Sequence, residues 1–125
     1  MNPVALSMVF LVVMAAALCC FVRAYGLRHD TGSHRTAAIV GASIDVFGTL
    51  AVIVTHRWLG WAVPTAFPTV ALVHRAFAYL STAMLAVQVT TGALRHPVHR
   101  RLGFPFLCAY ATTYGLAVIA YAPWW

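Results

Sequence analysis

The sequence predicts an all-α integral membrane protein, a four-helix up-and-down bundle forming a single domain over residues 1–125. Three observations predict it. Hydrophobic residues make up 62% of the chain, against about 45–50% in soluble proteins. They gather into four runs, each long enough for the roughly 20 residues that a bilayer crossing needs. The connections between the runs hold the turn-forming residues.

The first run, about 3–25, has no Lys or Arg ahead of it and is longer than a usual signal-peptide core, so it reads as a first membrane helix. The second spans about 34–58, after a polar connection holding Asp30, Gly32 and Ser33, with Ser33 a candidate helix cap. The third spans about 68–94. Pro64 lies in the connection before it, and Pro68 suits its first turn. The fourth spans about 102–122, after a connection containing Pro97, with Pro105 expected in its first turn, where a missing N–H is tolerated.

Charge sets the expected orientation. Charged residues are 8% of the chain, with eight Arg, two Asp and neither Lys nor Glu. Arg23, Arg28, Arg35, Arg95, Arg100 and Arg101 flank the first and third connections, whereas only Arg57 and Arg75 flank the second. The positive-inside tendency puts the first and third connections in the cytoplasm of a bacterial inner membrane and both termini on the periplasmic or exterior side. Trp58, Trp61, Trp124 and Trp125 fall on that outer side, as an aromatic belt would. Arginines spread beside apolar segments do not form the basic patch of a nucleic-acid binder; the partner they imply is the lipid bilayer.

Almost the only other polarity recurs in one form. His34-Arg35, His56-Arg57, His74-Arg75 and His99-Arg100 each sit near the end of an apolar run. In up-and-down order this pairs His34 with His99 at one rim and His56 with His74 at the other. Two imidazoles from different helices are the axial set of a haem b, or two ligands of a copper ion. Arg35, Arg57, Arg75 and Arg100 are then candidates for haem propionates or for lipid phosphates. His29 and His96 are expected in solvent-exposed loops.

Periodicity places further polar groups inward. His34, Asp45 and His56 are spaced by eleven residues, which nearly eclipses them on one helix face. His74, Ser81, Gln88 and Arg95 recur every seventh residue, and His99, Tyr110 and Tyr121 every eleventh, with Thr113 beside them. Such lines should face one another, because unsatisfied polar groups are costly in hydrocarbon. Asp45 is the single acid within a run. It is a candidate proton relay or ligand-orienting group, or the structural partner of Tyr110, Thr113 or Gln88. Gly41, Gly48, Gly92 and Gly115 are expected at close helix approaches, while Ser81, Thr90, Thr91 and Thr112 are expected to be packing groups. Cys19, Cys20 and Cys108 form no C-x-x-C pair and are expected to be buried apolar fillers. No nucleophile elbow, phosphate loop or carboxylate pair is present in the sequence, so independent catalytic activity is not expected.

The segment His99-Arg100-Arg101-Leu102-Gly103, followed by Pro105, Tyr110, Thr113, Gly115, Val118 and Tyr121, resembles the CtaM-like family of small four-helix membrane proteins linked to cytochrome oxidase assembly. His34-Arg35, His56 and His74 also fall where that family carries histidines. Val73-His74-Arg75-Ala76-Phe77-Ala78-Tyr79-Leu80 is similar to a helix start of haem A synthases, and the His-Arg unit to b-type cytochrome helices. The resemblance implies a membrane subunit or assembly factor of a respiratory electron-transfer complex. It would hold haem b or copper through paired histidines, with other subunits and a quinone as partners. The alternative expectation is a cofactor-free anchor whose His-Arg units contact lipid phosphates. A small proton or metal transporter built around Asp45 ranks third.

Overall fold

A computed structural model describes residues 3–60, 65 and 67–122. It contains four helices: α1 (Pro3–Gly26), α2 (Thr31–Arg57), α3 (Pro68–Ala93) and α4 (Val98–Tyr121). All four are long and apolar enough to cross a membrane. The all-α four-helix bundle expected from the sequence is thus observed. Pro64, Trp61, Trp124 and Trp125 lie outside the described residues.

Two helix starts differ from expectation, each for a local reason. The N-cap of α2 is Asp30, not Ser33: the Asp30 carboxylate accepts hydrogen bonds from the backbone N–H of Gly32 and Ser33 and from the Ser33 hydroxyl. A carboxylate answers several of the unpaired N–H groups at the helix start, and it does so with charge. These hydrogen bonds, the Ser33 hydroxyl first among them, hold the Asp30 carboxyl below its ordinary pKa. The cap's contribution is therefore fully present above the usual carboxylate range and fades as pH falls through and below it.

The α4 helix begins at Val98, four residues early, which moves Pro105 from the first turn into the helix interior. The early start follows from how α3 ends. His96 N–H donates to Thr91 O (2.8 Å) and Arg95 N–H to Gly92 O (3.1 Å), the paired bonds of a Schellman stop. Arg95 adopts φ 52° to make them, a left-handed conformation usually given to Gly. Pro97 follows at once as the N-cap of α4. This short turn sets His99 beside the last turns of α3.

The helices pack as α2 on α1, α1 on α4 and α4 on α3. The core follows that order. Ala17 and Phe21 of α1 meet Leu85 of α3 and Phe106 and Tyr110 of α4, with the Phe21 ring edge-on to both Phe106 and Tyr110 at 5.0 Å. A second cluster joins Leu11 to Ala117 and Ala122. Small residues permit the closest approaches. A Cβ on Gly41 would fall 2.9 Å from the Phe21 ring, and one on Gly48 would fall 2.7 Å from Val13 Cγ1. Gly92 does the same for His99, at 3.0 Å. Gly115 differs from expectation, because nothing lies within 4 Å of its Cβ direction.

No comparable interface joins α2 to α3. Gly41 is the single buried residue of α2 among those described, and most of its outer half is exposed. Cys19 and Cys108 are exposed and Cys20 is partly buried, so the cysteines do not fill the core as expected. Alanines take the tightest sites instead, Ala17, Ala117 and Ala120 being almost fully buried, because a smaller side chain brings helix axes closer.

Candidate functional site

Each of the three imidazoles turned into the bundle is fixed by the same device. His34 Nδ1 donates to the Ala24 carbonyl of α1 (2.7 Å), His99 Nδ1 to the Gln88 carbonyl of α3 (3.0 Å) and His74 Nδ1 to the Thr113 carbonyl of α4 (3.0 Å). A carbonyl only accepts, so Nδ1 carries the proton. In the neutral ring Nε2 then keeps a free lone pair. Ala24 lies in the last turn of α1, where carbonyls lack helical partners; His34 satisfies one of them from the facing helix.

At the arginine-rich end, His34 of α2 and His99 of α4 come together. Their ring centroids are 5.8 Å apart and the planes cross at 75°. His34, near the start of α2, is fastened to the end of α1, and α1 packs on α4, so two helices that share little surface deliver their rings to one place. Gly92 leaves room for the His99 ring against α3. Both histidines are partly buried, while Arg35 and Arg100 beside them are exposed.

The other expected pair does not meet. His56 is exposed near the end of α2. His74 lies edge-on to the Tyr121 ring at 5.5 Å and is held by Thr113 of α4. The reason lies in the packing order: α3 rests on α4 and α2 on α1, so the outer ends of α2 and α3 are not drawn together. Arg57 and Arg75 are likewise exposed.

Between these levels runs a polar seam. Tyr110 OH donates to Asp45 Oδ1 (2.6 Å), joining α4 to α2. Asp45 thus finds the first of its three expected partners. Ser81 Oγ lies 3.3 Å from Thr113 Oγ1, and each hydroxyl also bonds a carbonyl of its own helix. The heptad line of α3 therefore faces α4 at His74, Ser81 and Gln88. Thr90 and Thr91, expected as packing groups, spend their hydroxyls on their own helix, and Thr112 is exposed. Gln88 is buried, yet neither polar atom of its side chain has a hydrogen-bond partner.

Sequence reasoning missed the space beside this seam. A cleft of about 170 Å³ opens between α2 and α3, backed by α1 and α4. Asp45, Tyr110, His74, Ser81 and Thr113 line it, together with apolar residues of all four helices. The signal is present in part: by their spacing, Asp45, His74 and Tyr110 fall on inward faces. Periodicity alone does not say which two helices stand apart.

Fold and site define a class, a four-helix transmembrane bundle with an imidazole pair at its arginine-rich end and a polar cleft part-way along its length. Comparisons with protein-family models, with characterised proteins and with solved structures found no match to this chain.

Proposed function

We propose that this protein is a non-catalytic membrane subunit or assembly factor of a respiratory electron-transfer complex, holding one haem b or copper centre between His34 and His99. One observation carries the reading. The two rings, from different helices, have centroids 5.8 Å apart, and each has its Nδ1 committed to a backbone carbonyl. Metal-binding histidines are oriented in this way, with one nitrogen held so that the other is presented. Rings this close come within reach of one ion, so His34 and His99 would be the residues that hold it. A bound haem or copper would supply one-electron transfer. Arg35 and Arg100, exposed beside the rings, would bind propionates or lipid phosphates. By the distribution of arginines this end faces the cytoplasm of a bacterial inner membrane, and both termini face outward.

The test is metal content and absorption of the purified protein. We expect iron with the sharp reduced bands of a bis-imidazole haem, or stoichiometric copper. The signal should be lost in His34→Ala and in His99→Ala, and kept in His56→Ala. A colourless protein free of iron and copper rules the centre out. A second reading, a cofactor-free anchor, is favoured by the exposure of His56 and of Arg35, Arg57, Arg75 and Arg100, which suits contact with lipid phosphates. It predicts metal-free protein that retains anionic lipid on purification.

A further inference from the structure

The cleft between α2 and α3 has a chemistry of its own, independent of the His34–His99 centre. Its two polar walls are held by neighbouring residues of α4. Tyr110 fixes Asp45 of α2 through its hydroxyl, and Thr113 fixes His74 of α3 through its carbonyl. Residues three apart lie about 4.5 Å apart along a helix, so both walls are anchored to one turn. Those bonds consume Oδ1 of Asp45 and Nδ1 of His74. Among the described residues, Oδ2 of Asp45 and Nε2 of His74 remain without hydrogen-bond partners. Both can accept a hydrogen bond: Nε2 because the ring proton sits on Nδ1, and Oδ2 as the second oxygen of a carboxyl group whose first oxygen already accepts from Tyr110.

The rest of the lining is mostly apolar, with Phe10, Val13, Met14 and Ala78 against the floor and walls. The rim residues Thr49, Val52 and Thr82 are exposed and lie well inside their helices. The mouth therefore opens sideways, where acyl chains would lie, rather than toward water at a helix end. A ligand arriving this way must dissolve in lipid. It must also carry an apolar body and two hydrogen-bond donors, one for Asp45 of α2 and one for His74 of α3. A metal cation suits the cleft poorly, since among the described residues no three His, Cys, Asp or Glu side chains come together to hold one.

We propose that this cleft binds the ring of a membrane-dissolved quinol, one hydroxyl donating to Asp45 Oδ2 and the other to His74 Nε2. Ser81 and Thr113 line the same cleft with their hydroxyl protons committed to carbonyls of their own helices, so they offer a ligand acceptor oxygens and no donor. The assignment concerns binding alone and needs no metal at His34 and His99.

The test is anaerobic equilibrium binding of decylubiquinol to the full chain in phosphatidylcholine nanodiscs, with empty nanodiscs as reference. The dimethyl ether of the same quinol keeps the ring and tail and lacks both donors. We expect saturable binding of the quinol and at least tenfold weaker binding of the ether, since each ligand hydrogen bond to a buried acceptor contributes roughly a factor of ten. His74→Ala should weaken quinol binding roughly tenfold. The double variant Asp45→Ala/Tyr110→Phe, which removes both members of the wall contact together, should do the same. Ala78→Phe should fill the cleft and abolish saturable binding while far-UV circular dichroism stays unchanged. Equal binding of quinol and ether, or quinol uptake no greater than in empty nanodiscs, overturns the proposal. The ether comparison needs no variant, so a misfolded mutant leaves the result decisive.

Discussion

Asp45 shows how a single residue is tolerated at bilayer depth. An unpaired carboxyl in hydrocarbon is costly, and the chain meets that cost with one short bond from Tyr110 (2.6 Å). Interhelical hydrogen bonds in membranes couple by about 0.6 kcal/mol on average and up to about 1.7. The Asp45–Tyr110 bond should lie near the upper end of that range, because it is short and its carboxyl has no other partner among the described residues. A double-mutant cycle of Asp45→Asn and Tyr110→Phe, read by unfolding in detergent, is expected to give a coupling of about 1–1.7 kcal/mol. A coupling near zero would mean that the bond is incidental to stability. Gln88 is the opposite case. Its carbonyl receives His99, but its buried amide is unanswered, a condition that proteins usually relieve with water or a ligand.

At the scale of an element, the α1–α2 interface depends on the absence of side chains. Gly48 lies against Val13, a β-branched residue with little rotamer freedom. Gly48→Ala is expected to destabilise by about 1–3 kcal/mol, the usual cost of overpacking. Adding Val13→Ala should restore much of the loss by removing the atoms that clash. Thermal unfolding of the two single variants and the double variant checks this, and a double variant no better than Gly48→Ala would contradict the assigned contact. Gly41 faces the Phe21 ring and the Cys20 Cβ, which are closer to the backbone or rigid, so no equally simple rescue exists there. Helix existence was legible from apolar length alone. Helix ends were less so: the stop at Arg95 uses a left-handed residue that is not Gly, which leaves no mark in the sequence, and it shifted the start of α4.

The whole molecule is an incomplete ring, with packing contacts running α2–α1–α4–α3 and a cleft where the ring would close. Single-cysteine scanning would test its expected orientation, on a background with Cys19, Cys20 and Cys108 replaced by Ala. In spheroplasts, an impermeant maleimide should label Gly60→Cys before the membrane is opened and Ser33→Cys only afterwards. The reverse pattern would invert the assignment of the two ends. The same incomplete ring explains how much of the site could be read in advance. His34 and His99 were expected to meet because both open helices at the arginine-rich end, and they do meet. His56 and His74 were expected to meet by the same reasoning, and the packing order leaves them apart. Sequence alone established four crossings, their approximate limits, the inward polar lines apart from His56 and Arg95, which are exposed, and the partnership open to Asp45, because hydrophobic length and helical periodicity are properties of each segment by itself. Only the tertiary structure decided which helices touch, which imidazoles share a neighbourhood and where the cleft lies. Those outcomes depend on small-residue contacts between segments, and a single helix carries no record of the neighbour it will choose.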